Sequence, residues 1–124
     1  MEQDEIEALY LAYRQKTSAL EDRKSVYYQK KKDLEREKEE SFAIYRQEEE
    51  ELHEMMQMFG PSQVSSQLQI EMRMFIEEDQ KELSRREAEL EEEFRKLQIL
   101  EKETEDAFEN RRLLITKGEQ KNHE

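Results

Sequence analysis

The chain has 124 residues, of which 34% are hydrophobic and 44% charged, with a formal net charge of −12 and no cysteine. This balance excludes disulfide and thiol chemistry and sets phosphate-binding functions aside, because neutralising nucleic acid needs a basic surface. It leaves two classes, a disordered chain or long helices carrying a narrow apolar stripe, and the regular spacing of the apolar residues selects the helices.

The N-terminal residues Met1-Glu2-Gln3-Asp4-Glu5 are acidic and lack the basic and apolar regions of a signal peptide. Helix 1 is predicted from about Glu2 to Phe59. Its stripe begins with Ile6 and Leu9, and Tyr13, Leu20, Tyr27 and Leu34 recur seven apart. The stripe resumes as Phe42, Tyr45, Leu52, Met56 and Phe59. The step from Leu34 to Phe42 is eight, which predicts a stutter-like loosening near Lys38. Lys16, Arg23, Lys24, Lys31 and Glu49 are expected at the intervening seam positions, where their stems cover apolar surface. The basic run Lys30-Lys31-Lys32, with Arg36 and Lys38, is interleaved with Glu35, Glu37, Glu39 and Glu40 and reads as a locally compensated helix surface.

Phe59-Gly60-Pro61-Ser62 is the one strong punctuation. Glycine takes the left-handed conformation that ends a helix, and proline restricts its predecessor and donates no backbone hydrogen bond. Ser62, Ser65 and Ser66 are candidate caps for the next helix, and Ser66-x-x-Gln69 has capping-box spacing. The turn is expected over 60–65.

Helix 2 is predicted from about Ser66 to Lys117, carrying Leu68, Met72, Phe75, Ile76, Leu83, Leu90, Phe94, Leu97, Leu100, Phe108 and Ile115. Ile76, Leu83, Leu90 and Leu97 again lie seven apart. A polar tail, 118–124, is expected to fray. The fold class is therefore all-α, a long antiparallel two-helix coiled-coil hairpin forming one domain over 1–124. Residues equidistant from Pro61 then face one another, setting the basic segment against Glu87–Glu93, Lys24 and its neighbours against Glu101–Asp106, and Arg85 and Arg86 near Glu35 and Glu37. Each such pair is weak, but together they oppose wrong registers.

No chemistry-bearing constellation emerges. His53 and His123 belong to different helices, one near the turn and one in the tail, and are too far apart to share a metal. Glu48–Glu51 and Glu91–Glu93 read as solvated faces, and there is no phosphate loop, calcium loop or nucleophile with a base partner. The expectation is a non-enzymatic protein without cofactor or metal. No segment reaches transmembrane length, so membrane insertion is not expected, and the expected location is the cytoplasm.

The stripe is wider than one hairpin seam needs, which implies a second surface for a partner or for self-association. Met55, Met56, Met58, Phe59, Met72, Phe75 and Ile76 gather around the turn. They read either as flexible core filling or as an adaptable docking surface, because methionine repacks readily. Tyr10 and Tyr28 stand beside the seam and offer amphipathic aromatic edges. Phe108, Leu114 and Ile115, next to Arg111 and Arg112, either pair with the start of helix 1 or join a groove on a larger protein.

With its Glu-rich run from Glu77 to Leu90 and its closing Arg111-Arg112-Leu113-Leu114, the chain resembles the small non-WXG helical targeting proteins that accompany LXG toxins of Gram-positive type VII secretion systems. The sister WXG family carries Trp-x-Gly at its turn, whereas this chain has Phe59-Gly60 and no tryptophan. Phe75-x-x-x-Asp79 and Tyr45-x-x-x-Glu49 match the aromatic-to-acid spacing of an export signal. Both fall inside helices, so neither is read as one. The resemblance implies a targeting factor or chaperone that binds the helical N-terminal region of an LXG toxin, alongside a second small helical protein, with co-export lacking a conventional signal as one outcome. The alternatives are a self-associating coiled-coil scaffold or homodimer, and a helical hairpin chaperone or stalk protein like those of flagellar and type III export.

Overall fold

Straight-chain Glu, Lys, Gln, Arg, Leu and Met lose little rotamer freedom in a helix, and two helices account for almost every residue of the computed structural model. They are α1 (Glu2–Phe59) and α2 (Gln63–His123). The structure describes residues 2–123, with side chains to 118; α2 continues as helix past the expected end at Lys117 and through the tail expected to fray, as far as His123. Among the described residues there is no strand, and the helices form the expected antiparallel hairpin.

Gly60 ends α1 with φ 73°. Its φ lies where a side chain would be strained, although no neighbouring atom stands within 4 Å of an added Cβ. Ser62 then caps α2. The Ser65 N–H donates to Ser62 Oγ at 3.1 Å, and the Ser62 N–H donates to Ser65 Oγ at 2.9 Å. This reciprocal pair is a capping box with serine in place of the usual glutamate. It starts the helix at Gln63, earlier than the expected Ser66, and the Ser66–Gln69 spacing is not the cap. Ser65 is buried at 3% exposure, its hydroxyl also donating to the Ser62 carbonyl at 2.9 Å.

The chain divides into two units, one over Gln29–Leu90 and one made of the residues up to Tyr28 and from Glu91 onward. In the turn unit, the seam of α1 runs through the half-buried or buried Leu34, Lys38, Ser41, Tyr45, Glu48, Leu52 and Met55, with Asp33 and Met56 half-buried beside it. The seam's steps alternate four and three without interruption, so there is no stutter at Lys38. Phe42 instead stands beside the seam, 46% exposed. The eight-residue step arose because the core position it skipped is occupied by a serine, which an apolar count does not register. The facing positions on α2 are Met72, Ile76, Asp79, Leu83, Arg86 and Leu90, again in unbroken alternation.

In the terminal unit the seam runs through Ile6, Leu9, Tyr13, Thr17, Leu20, Lys24 and Tyr27, against Phe94, Leu97, Leu100, Thr104 and Phe108. Leu97, at 1% exposure, is its most enclosed side chain. Of the charged residues expected in the seam, Lys24 is partly covered, whereas Lys16, Arg23, Lys31 and Glu49 are exposed; Lys38 and Glu48 take seam positions instead.

Candidate functional site: two grooves beside the turn

The expected cross-helix charge matching is present within each unit. In the turn unit, Arg86 pairs with Glu37 through its two terminal guanidinium nitrogens, and Lys38 pairs with Glu87. Hydrogen bonding from Arg86 holds the Glu37 carboxyl below its ordinary range, against a smaller opposing effect of desolvation. Arg85 does not reach across the hairpin but joins Glu82 and Glu89 on its own helix, and its hydrogen bonds lower the Glu82 carboxyl likewise. In the terminal unit, Lys24 Nζ donates to Glu101 Oε1 at 2.7 Å, which raises the lysine above its ordinary value. These pairs fix which residues face each other, and little stability is expected from them because they remain solvated.

Aromatic packing separates the candidate residues. Phe108 stacks on Tyr13 at 4.3 Å between ring centroids and meets Tyr10 edge-on at 5.1 Å. The expected pairing of the Phe108 region with the start of α1 is thus made, and Tyr10, though 44% exposed, is already engaged. Tyr27 stacks on Phe94 at 5.2 Å and meets Tyr28 edge-on at 5.3 Å. Tyr28 and Leu114 are exposed, and Ile115 is half-buried.

Around the turn, Met55, Met56, Met72 and Ile76 are half-buried, whereas Met58, Phe59 and Phe75 stand largely in solvent. The first four line two grooves that share Leu52 and Met72. One, of about 400 Å³, is lined by Met56 and Ile76 with Glu49, His53, Arg73 and Glu77, a rim of mixed charge. The other, of about 500 Å³, is lined by Leu52, Met55, Leu68, Met72 and Phe75 with Glu48, Glu51 and Glu71, and no basic residue lines it. Sequence reasoning singled out the methionines and Phe75 but missed Leu68 and the three glutamates as parts of one surface. Their common face is visible in the spacing only once the register of the two helices is known.

A third hollow, about 240 Å³, lies in the terminal unit between Leu9, Tyr13, Thr104 and Phe108, flanked by Lys16 and Arg111. Among the described residues no group of three His, Cys, Asp or Glu side chains is placed to hold a metal ion, and no helix is long and apolar enough to cross a membrane. His53 Nε2 lies 3.1 Å from Gln57 Nε2, a pairing along one helix turn; the His123 side chain is outside the described residues. No family model matches the chain, and neither a curated protein nor a solved structure matches it.

Proposed function

We propose that this hairpin is a non-enzymatic protein-binding module whose turn unit docks a helical segment of a partner. The observation that carries this reading is the concentration of large apolar side chains in the segments flanking the turn that the hairpin's own packing leaves uncovered. Met58 and Phe59 are 78% and 79% exposed, and Val64, Leu68, Ile70, Met74 and Phe75 are exposed with them. Exposed apolar surface gathered in one region marks an interaction site. Helices offer no unpaired backbone edge for strand addition, so an amphipathic helix is the natural occupant of the space between two of them.

The narrower reading follows from the resemblance to the non-WXG targeting proteins. The partner is then the helical N-terminal region of an LXG toxin, and the hairpin acts as a cytoplasmic targeting factor or chaperone for type VII export. The test is co-expression with such a toxin segment, followed by the mass of the purified assembly. A fixed-stoichiometry heteromeric complex is expected. Recovery of the hairpin alone, at one homo-oligomeric mass, overturns this reading in favour of the self-associating scaffold.

A further inference from the structure

The two grooves beside the turn differ in a way that specifies an occupant. The groove is lined from α1 by Glu48, Glu51 and Met55 and from α2 by Leu68, Glu71 and Phe75; the same helical step extends these columns to Ile44 and Met58 on α1 and to Val64 and Glu78 on α2. Both sets follow the alternating four-and-three step that keeps residues on one face of a helix. Each column therefore carries apolar side chains with carboxylates between them. Ile44, Met58, Val64 and Phe75 are all more than half exposed. The groove between the columns is floored by Leu52, Met55 and Met72 and bordered by Glu48, Glu51 and Glu71.

Resting on the protein-binding reading above, we propose that this acid-bordered groove binds the apolar stripe of a partner's amphipathic helix whose flanking positions carry lysine or arginine, the helix lying as a third strand of a local coiled coil. The apolar floor supplies burial, the methionines adapt to the incoming side chains, and the glutamates select flanking charge as e and g positions do in coiled coils. A second copy of this chain is a poor occupant, because a net charge of −12 opposes self-association at an acidic surface. The other groove, with Arg73 among Glu49 and Glu77, presents no such single-signed border.

The test uses the full chain and two labelled helical peptides with identical leucine stripes, one flanked by lysine and arginine and the other by glutamate. Binding is read by fluorescence anisotropy, and the site by methyl NMR. The basic peptide is expected to bind at least about tenfold tighter than the acidic one, a difference of about 1.4 kcal/mol, and to weaken as salt is added. Methyl shifts are expected at Met55, Leu68 and Met72. The double variant Glu51→Lys/Glu71→Lys, at two exposed positions, is expected to reverse the preference, and Phe75→Ala to weaken both peptides with helicity unchanged. Equal affinity for the two peptides, binding of neither, shifts centred on Met56 and Ile76, or a doubled mass without peptide would each overturn the proposal. If the co-expressed partner binds the double variant as tightly as the natural chain, this groove is wrong while the protein-binding reading stands. If only homo-oligomer is recovered, that reading fails whatever the peptides do.

Discussion

The terminal unit and the turn unit use their apolar residues differently. In the terminal unit, rings interlock across the hairpin, Phe108 against Tyr10 and Tyr13 and Phe94 against Tyr27. In the turn unit the one described ring pair, Phe42 with Tyr45 at 6.3 Å, lies along a single helix. Its seam is closed by Leu34, Tyr45 and Leu83, and only beside the turn is the space between its helices bounded by methionines and open to solvent. Rigid rings filling a seam contribute stability, while flexible thioethers beside an open groove keep apolar surface available. Both units leave apolar side chains exposed and both bury a seam; the difference is that the terminal seam is closed by ring pairs, while beside the turn the seam opens into methionine-lined grooves.

Truncations sharpen this contrast most. Leu97→Ala in the terminal unit is expected to cost about 2–3 kcal/mol, since the leucine is enclosed and its loss leaves a cavity. Phe108→Ala should cost about 1–2 kcal/mol through two ring contacts. Phe75→Ala, in solvent, is expected to stay within about 0.5 kcal/mol. Urea unfolding followed by circular dichroism orders the three. A Phe75→Ala loss as large as that of Phe108→Ala would erase the distinction between a packing residue and a binding one.

The turn itself comes next. Ser62→Ala removes the side-chain acceptor for the Ser65 N–H and should cost about 1 kcal/mol. Gly60→Ala should cost about 1–2 kcal/mol through its left-handed backbone alone, as nothing crowds the added methyl. Thermal unfolding of both variants checks this, and no change in either would show that the loop geometry is not what holds the turn.

Tyr45 has an opposite sign. The residue is 6% exposed and its hydroxyl has no hydrogen-bond partner. Tyr45→Phe removes that uncompensated desolvation and is expected to be neutral or to stabilise by about 1 kcal/mol. A clear drop in midpoint would mean that the hydroxyl is satisfied in solution.

The smallest effect is electrostatic. Glu37 and Glu82 have lowered folded pKa values, so the unfolded chain binds their protons more readily and unfolding takes up protons in acid. Their stabilisation is complete above the ordinary carboxylate range and is lost as pH falls through the lowered folded values. Lys24, raised by Glu101, contributes below the ordinary lysine range and loses that contribution as pH rises through the raised value. Glu37→Gln should flatten the acid limb of the stability–pH curve slightly, and an unchanged limb would show the Arg86 pair to be fully screened. Glu37→Gln thus probes one pair of the turn unit, and Lys24→Met one pair of the terminal unit.

Much of the fold was legible without coordinates. Seven-residue recurrences at Tyr13–Leu34 and Ile76–Leu97, together with Gly60-Pro61, determined two helices and one reversal. The cross-hairpin pairs Arg86–Glu37, Lys38–Glu87 and Lys24–Glu101 were legible too, because a short turn makes facing residues equidistant from it. What apolar counting misread was the seam after Leu34. Ser41, Lys38, Glu48 and Asp79 take partly covered positions there, while Phe42, Phe59 and Phe75 fall outside. Periodicity read from residue type assumes that large apolar side chains occupy the core, whereas the geometric period of the helix decides which positions face inward whatever stands on them. The candidate site shows the same division. Its methionines and aromatics could be named from clustering in the sequence, but the separation of one acid-bordered groove from one of mixed charge depends on how α1 and α2 are rotated against each other. Rotation is set by packing of the whole seam, and only the tertiary structure decided it.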